Sequence, residues 1–118
     1  MDYPIIDLEL GAKLAGNNRK AAEEMLALLI KMLPHDLAQI KLAFTKNQYE
    51  ELARHVHRLH GALCYCGVPR LKTAAHQLEI AIKQKKRQKI HTLFDQFEQE
   101  AEKLLANNNS QSTRSPTT

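Results

Sequence analysis

The chain has 118 residues, of which 43% are apolar and 25% charged, so it suits one soluble domain with a single modest core. Its formal net charge is +4, which favours acidic partners. The lack of tryptophan argues against a stacking platform for nucleic acid. No apolar run approaches the ~20 residues that cross a membrane, so we expect no membrane contact by this segment. Cys64 and Cys66 lie two positions apart, which suits neither a redox motif nor a disulfide and predicts free thiols in a reducing, cytoplasmic compartment.

Helical periodicity runs through most of the chain, without any strand-like alternation. Asp7 is predicted to cap a short first helix that stops at Gly16 and Asn17. Asn18 is predicted to cap a second, longer helix, in which Pro34 should cause a kink or a restart. The apolar stripe of this helix comprises Leu26, Leu29, Ile30, Leu33, Leu37, Ile40 and Phe44.

Three more helices are predicted after the turn at residues 45–47. The third extends from about Gln48 to Cys66, and Pro69 suits the first position of the fourth. The basic stretch Lys83 to Lys89, interpreted as a solvated turn and not as a nucleic-acid site, precedes the fifth. The pattern predicts an all-α fold over residues 1–106, an antiparallel four-helix bundle with a short additional N-terminal helix. Residues 107–118 are polar, have nothing to bury and are predicted to form a disordered tail.

The third helix contains a histidine that should face solvent. Its core stripe is predicted to comprise Leu52, Val56, Leu59 and Leu63. At about 100° per residue, His57 lies about 140° from Leu52 and Gly61 about 180° from it. Glycine inside a helix costs roughly 1 kcal/mol relative to alanine, so its presence here needs a reason. The reason we infer is steric, since Gly61 leaves room for another protein to approach the ring of His57.

The segment His57-Arg58-Leu59-His60-Gly61 is followed at characteristic distances by Gly67, Leu71 and the pair Leu78-Glu79. This pattern resembles the signature of histidine phosphotransfer (HPt) domains over roughly residues 5–106. The wider string is most similar to the C-terminal HPt module of GacS/BarA-type hybrid sensor histidine kinases. The sequence departs from the family pattern at His60, where a lysine is usual.

The resemblance implies that His57 is the phosphoacceptor of a multistep two-component phosphorelay. It would take a phosphoryl group from a receiver-domain aspartate of a hybrid sensor kinase and pass it to the aspartate of a response regulator. The chain would be a carrier without a kinase or ATP site, and no phosphate-binding glycine loop is present. No cofactor or metal is expected, since Mg²⁺ would belong to the partner receiver only. A cytoplasmic monomer is expected, either free or as the C-terminal module of an inner-membrane sensor kinase.

Several neighbours of His57 are candidates for contact with the phosphoryl group or the partner. His60 lies either beside the phosphoryl group, replacing the usual lysine, or at the edge of the core as a packing residue. Arg54, Arg58 and Lys72, with Gly61, are predicted to contact the acidic receiver. Apart from that role, these three cations would form an ordinary solvated face.

Two alternatives come from other functional classes. His57, His60 and Cys64 have the spacing i, i+3 and i+7 on one helix face, and could bind Zn²⁺ or Cu⁺ with His76 as a fourth ligand. A helical protein-interaction module without chemistry would explain the bundle equally well. It would leave Gly61 unexplained.

Overall fold

The computed structural model describes the backbone of residues 3–114 and the side chains of residues 3–107. This part of the chain contains five helices and no strand. The helices are α1 (Leu8–Leu14), α2 (Arg19–Thr45), α3 (Tyr49–Leu63), α4 (Pro69–Lys83) and α5 (Arg87–Arg114). The prediction of an all-α fold with a short extra helix at the N-terminus is therefore confirmed.

The ends of the helices follow local sequence signals. The carboxylate of Asp7 accepts a hydrogen bond from the backbone N–H of Leu10 at 3.0 Å, and the side-chain oxygen of Asn18 accepts one from Ala21 at the same distance. Pro69 occupies the first turn of α4, where its missing N–H costs nothing. Helix α2 continues through Pro34 as a single element.

The third helix is shorter than its sequence predicts. It ends at Leu63 and not near Cys66, and the backbone N–H of Val68 bonds to the carbonyl of Cys66 at 2.8 Å in the turn that follows. This turn buries Cys66 and Val68 against the core, which a continued helix would have prevented for one of the two. Burial of these two apolar side chains explains the early end of α3.

Helices α2 to α5 close a ring around one core. Each packs against the next in the chain, and α5 returns to contact α2, while α1 packs on α2. All four residues of the predicted α3 stripe lie in the core with exposed fractions of 3% or less. Ion pairs on the surface also join the helices, such as the 2.8 Å pair between Arg70 on α4 and Glu100 on α5. The bundle thus fixes which face of α3 meets solvent.

Gly67 holds the first helix against the turn between α3 and α4. Its carbonyl accepts a hydrogen bond from the backbone N–H of Asp7 at 2.7 Å. A Cβ atom at Gly67 would lie only 2.0 Å from the carbonyl oxygen of Asp7 and 2.8 Å from the nitrogen of Gly11. The second glycine of the motif is therefore needed for close packing of two backbone segments.

The C-terminal helix extends past the predicted boundary at residue 106. Its backbone stays helical to Arg114, because neither glycine nor proline occurs between Ala106 and that residue to stop it. Residues 115–118 of the predicted tail lie outside the described residues. Of the five helices, none combines the length and hydropathy that crossing a bilayer requires, in the part of the chain that is described.

Candidate functional site

His57 lies on the outer face of α3, opposite the buried stripe. Its side chain is 71% exposed, as the helical period predicts. Gly61 follows one turn later, and a Cβ atom built there would meet no other atom within 4 Å. The surface beside the imidazole is therefore open, and no packing requirement among the described residues explains the glycine.

The inner nitrogen of the His57 imidazole forms a hydrogen bond with a buried carboxylate on α4. Glu79 Oε2 lies 2.5 Å from His57 Nδ1, and the Glu79 side chain is only 6% exposed. Since an ionised carboxylate can only accept, Nδ1 must carry the proton of this hydrogen bond. In neutral His57 the lone pair is then on Nε2, the outer nitrogen of the ring.

Two more side chains bind the Glu79 carboxylate. Lys83 Nζ lies 3.3 Å from Oε2, and His60 Nδ1 lies 3.2 Å from Oε1. Burial alone would raise the pKa of Glu79, but the hydrogen bonds from His57 and Lys83, together with the charge of Lys83, outweigh burial and hold this pKa below its ordinary value of 4.5. Glu79 is therefore an anion around neutral pH, fixed between α3 and α4.

His60 points into the edge of the bundle. Its side chain is 18% exposed, and its ring stacks on that of His76 with centroids 5.0 Å apart. Burial lowers the pKa of His60 below its usual 6.5, with smaller lowering effects from His76 and Lys72, while Glu79 acts in the opposite direction. The neutral ring is thus favoured, so His60 does not supply the positive charge of the family's lysine.

The predicted partner-binding cations all lie on the surface. Arg54 is exposed and paired with Glu51, one turn earlier on α3. Arg58 is exposed too, and its Nη2 donates to His55 Nδ1 at 3.3 Å. Lys72 is exposed on α4, close enough to His60 to influence its titration. None of the three is buried in the core, so each remains available to an acidic partner.

An apolar groove runs between α2 and α3, on the side of the exposed face away from Glu79. Its wall includes Leu28 and Met32 of α2, with exposed fractions of 57% and 51%, and Tyr65 just after α3, at 60%. Arg58 also lines it. Large apolar side chains that are half exposed and contiguous mark a surface suited to a protein partner.

The candidate ligands of the alternative metal-binding interpretation come together only in part. Among the described residues, the converging group of potential ligands is His60, His76 and Glu79. Cys64 Sγ lies 3.9 Å from His60 Nε2 but does not belong to that group, and neither does His57. The ligand set of the alternative interpretation, namely His57, His60 and Cys64 with His76 as the fourth, is therefore not the arrangement found among the described residues.

Glu79 belongs to the site although the sequence pattern, in which it forms the pair Leu78-Glu79, assigns it no contact with His57. A signal was present, because Glu79 continues the i, i+4 row of Leu71 and Ala75, which are both buried. A lone carboxylate in line with a buried row needs a partner. The identity of that partner, 22 residues earlier in the chain, follows only from how α3 and α4 pack.

Comparison with known proteins identifies sensor kinases that are similar in sequence to this chain. The chain is 39% identical over 84 residues to the sensor histidine kinase GacS of Pseudomonas protegens, covering 71% of this chain and 9% of that protein. It is 30% identical over 74 residues to the signal transduction histidine-protein kinase BarA of Escherichia coli (strain K12), covering 63% of this chain and 8% of the relative. The chain thus spans less than a tenth of the length of these relatives.

A solved structure and a family model agree with these relatives. The crystal structure of the HPT domain from the Hpt sensor hybrid histidine kinase from Shewanella is 27% identical, with a TM-score of 0.72, and covers 94% of this chain and 97% of the crystallised one. The family model described as Hpt domain matches residues 24–107, which include both His57 and Glu79. The chain therefore belongs to the Hpt domain family, the histidine phosphotransfer modules of two-component phosphorelays.

Proposed function

We propose that His57 is the phosphoacceptor of this domain and that Nε2 is the atom that reacts. The observation that carries the proposal is the 2.5 Å hydrogen bond between His57 Nδ1 and the buried Glu79. It leaves the lone pair of Nε2 directed outward on a side chain that is 71% exposed. Exposure gives access for a partner, while the hydrogen bond orients the ring for in-line attack.

In the forward step, the Nε2 lone pair of His57 attacks the phosphorus of a receiver's aspartyl phosphate. A P–N bond forms, the P–O bond to the aspartate breaks, and the aspartate leaves as a carboxylate. The imidazole gains positive charge, which the ionised Glu79 stabilises through Nδ1–H. In the second step an aspartate oxygen of the response regulator attacks the phosphorus. The P–N bond breaks and neutral His57 is restored.

The bundle supplies position and electrostatic stabilisation, since phosphoryl transfer needs little acid–base chemistry from the protein. The Mg²⁺ that neutralises the phosphoryl oxygens would be bound by the receiver and not by this chain. Lys83, held 3.3 Å from Glu79, and the exposed Lys72, whose charge acts on His60, are two cations of α4 near the site. With His60 neutral, they take over the electrostatic role that the family's lysine would have had.

The receiver would dock on the exposed strip that runs from His57 through Gly61 on α3 to Tyr65 in the turn after it. The groove on the α2 side offers the apolar contact, and Arg54 and Arg58 offer charge to the acidic rim of a receiver. The same strip would serve the donor and the acceptor in turn, because both must bring an aspartate to one nitrogen. One exposed strip per chain is sufficient for this, so we propose that the domain acts as a monomer.

We further propose that the donor is the receiver domain of a hybrid sensor kinase and the acceptor a response regulator. Support comes from the sensor kinases among the relatives, in which the similar region is a small part of a long protein. The domain would act in the cytoplasm, where its free thiols Cys64 and Cys66 stay reduced.

The test is a transfer assay in which the chain is incubated with Mg²⁺ and a receiver domain whose aspartyl phosphate is radiolabelled. We expect acid-labile, base-stable label on the wild type and none on His57→Gln, which should stay folded by circular dichroism although it loses the hydrogen bond from His57 to the buried Glu79. The matched control, His91→Gln, removes an exposed histidine of α5 that does not line the groove, and should be labelled like the wild type. Label on His57→Gln would contradict the assignment. Receiver binding without label on any variant would instead favour an interaction module without chemistry.

A further inference from the structure

The cluster formed by His60, His76 and Glu79 has a use beyond holding His57. We propose that these three residues bind a divalent transition metal ion, Zn²⁺ being the natural candidate, beside the phosphoacceptor. Each offers one ligand atom, and the three atoms lie within 4.8 Å of one another. His76 and Glu79 are three residues apart on one face of α4, and His60 approaches them from α3.

The distances are near those that a shared metal requires. Two ligand atoms, each ~2.1 Å from a tetrahedral zinc ion, lie about 3.4 Å apart. His60 Nδ1 and Glu79 Oε1 are already 3.2 Å apart. His76 is exposed, so rotation of its side chain can bring its nitrogen inward by the remaining distance of about 1 Å.

The donor set also fits the chemistry of zinc. Two imidazoles and a carboxylate, with water at an open fourth position, form a common three-ligand zinc site. Metal binding at His60 Nδ1 would displace the proton shared with Glu79 Oε1, and the neutral ring would then carry its proton on Nε2, so that no net proton is released by His60. The charges of Lys83 and Lys72 oppose the ion, so we expect weaker binding than at a structural site with four ligands.

The departure from the family pattern is what makes this site available. The motif that this sequence resembles has a lysine at the position of His60. A lysine there would place an ammonium where the metal would lie, whereas an imidazole offers a lone pair. The site should therefore be a property of HPt domains with histidine here, and one substitution should remove it.

Metal binding would act on transfer through the shared carboxylate, a consequence that rests on the proposed function. Glu79 uses Oε1 toward the metal site and Oε2 toward His57. A dication at Oε1 withdraws the negative charge that stabilises the developing imidazolium, so zinc should slow phosphorylation of His57. The rate of phosphoryl transfer through the relay would then depend on the concentration of zinc.

Binding is tested on the whole chain without any receiver. Zn²⁺ is titrated by calorimetry, and Co²⁺ is added separately because its visible absorption reports tetrahedral coordination. We expect one ion per wild-type chain and affinity about tenfold weaker or worse in His76→Gln and in His60→Lys. His35→Gln should match the wild type. Unchanged affinity in both site variants, no saturable binding, or a loss confined to Cys64→Ser would overturn the proposal.

The effect on transfer is a separate measurement. Micromolar Zn²⁺ with Mg²⁺ in excess should slow phosphorylation of the wild type and leave His76→Gln unaffected, and chelation should restore the rate. Equal inhibition of both proteins would assign the zinc effect to the receiver and reject this part of the proposal. Failure of transfer without zinc would instead concern His57 and leave the binding result standing.

Discussion

The two glycines of the HPt motif should respond in opposite ways to the same substitution. At Gly61 a Cβ atom meets nothing within 4 Å, so Gly61→Ala only removes the helix cost of glycine. We expect it to raise the free energy of unfolding by up to about 1 kcal/mol. At Gly67 the Cβ atom would be 2.0 Å from a backbone oxygen that cannot rotate away.

The cost at Gly67 can be worked from two contributions. Forcing extra volume into a packed site costs about 1–3 kcal/mol. Separating Gly67 from Asp7 also breaks their 2.7 Å backbone hydrogen bond, which contributes about 1 kcal/mol. Gly67→Ala should therefore lose about 2–4 kcal/mol.

The assay is thermal unfolding of both variants followed by circular dichroism, with transfer measured in parallel. A gain of 1 kcal/mol corresponds to a rise in Tm of about 3–5 °C for a chain of this size. Transfer to Gly61→Ala should be slower although the fold is more stable, and a bulkier residue such as Gly61→Gln should slow it further. Stabilised Gly61 variants with unchanged transfer rates would refute the steric explanation. A neutral Gly67→Ala would refute the packing described for α1.

Two further substitutions test how the site works. Glu79→Gln keeps an acceptor for His57 Nδ1 but loses the charge, so phosphorylation should slow by about tenfold or more while circular dichroism stays helical; an unchanged rate would remove Glu79 from the mechanism. Leu28→Glu places a charge in the groove at a residue 57% exposed, and should weaken receiver binding with little effect on stability. Leu42→Glu, at a 48% exposed leucine of the same helix, is its control, and equal binding by both would exclude the groove from docking.

Helical period alone predicted the elements and the exposure of His57, because burial within a helix repeats every 3.6 residues whatever the partners are. Leu52, Val56, Leu59 and Leu63 are all buried, and the cap residues Asp7 and Asn18 act as their types predict. These features could be predicted because each depends only on residues that are close together in the sequence.

The contacts between helices could not be predicted in this way. The link from His57 to Glu79, and the inward position of His60, depend on how far α3 and α4 are rotated about their axes. The early end of α3 has the same origin, because burial of Val68 outweighs local helix preference. The sequence predicted that His57 and Gly61 lie side by side on the exposed face of α3. It could not predict that Glu79 of α4 forms a hydrogen bond with the buried side of the His57 ring.

The most direct test of this account is the identity of the phosphorylated nitrogen. Wild-type protein labelled by a receiver would be studied by phosphorus and nitrogen NMR, which distinguish the two isomers of phosphohistidine. Because Glu79 holds the proton on Nδ1, we predict phosphorylation of His57 at Nε2 alone. Phosphate on Nδ1, or on a histidine other than His57, would contradict the mechanism.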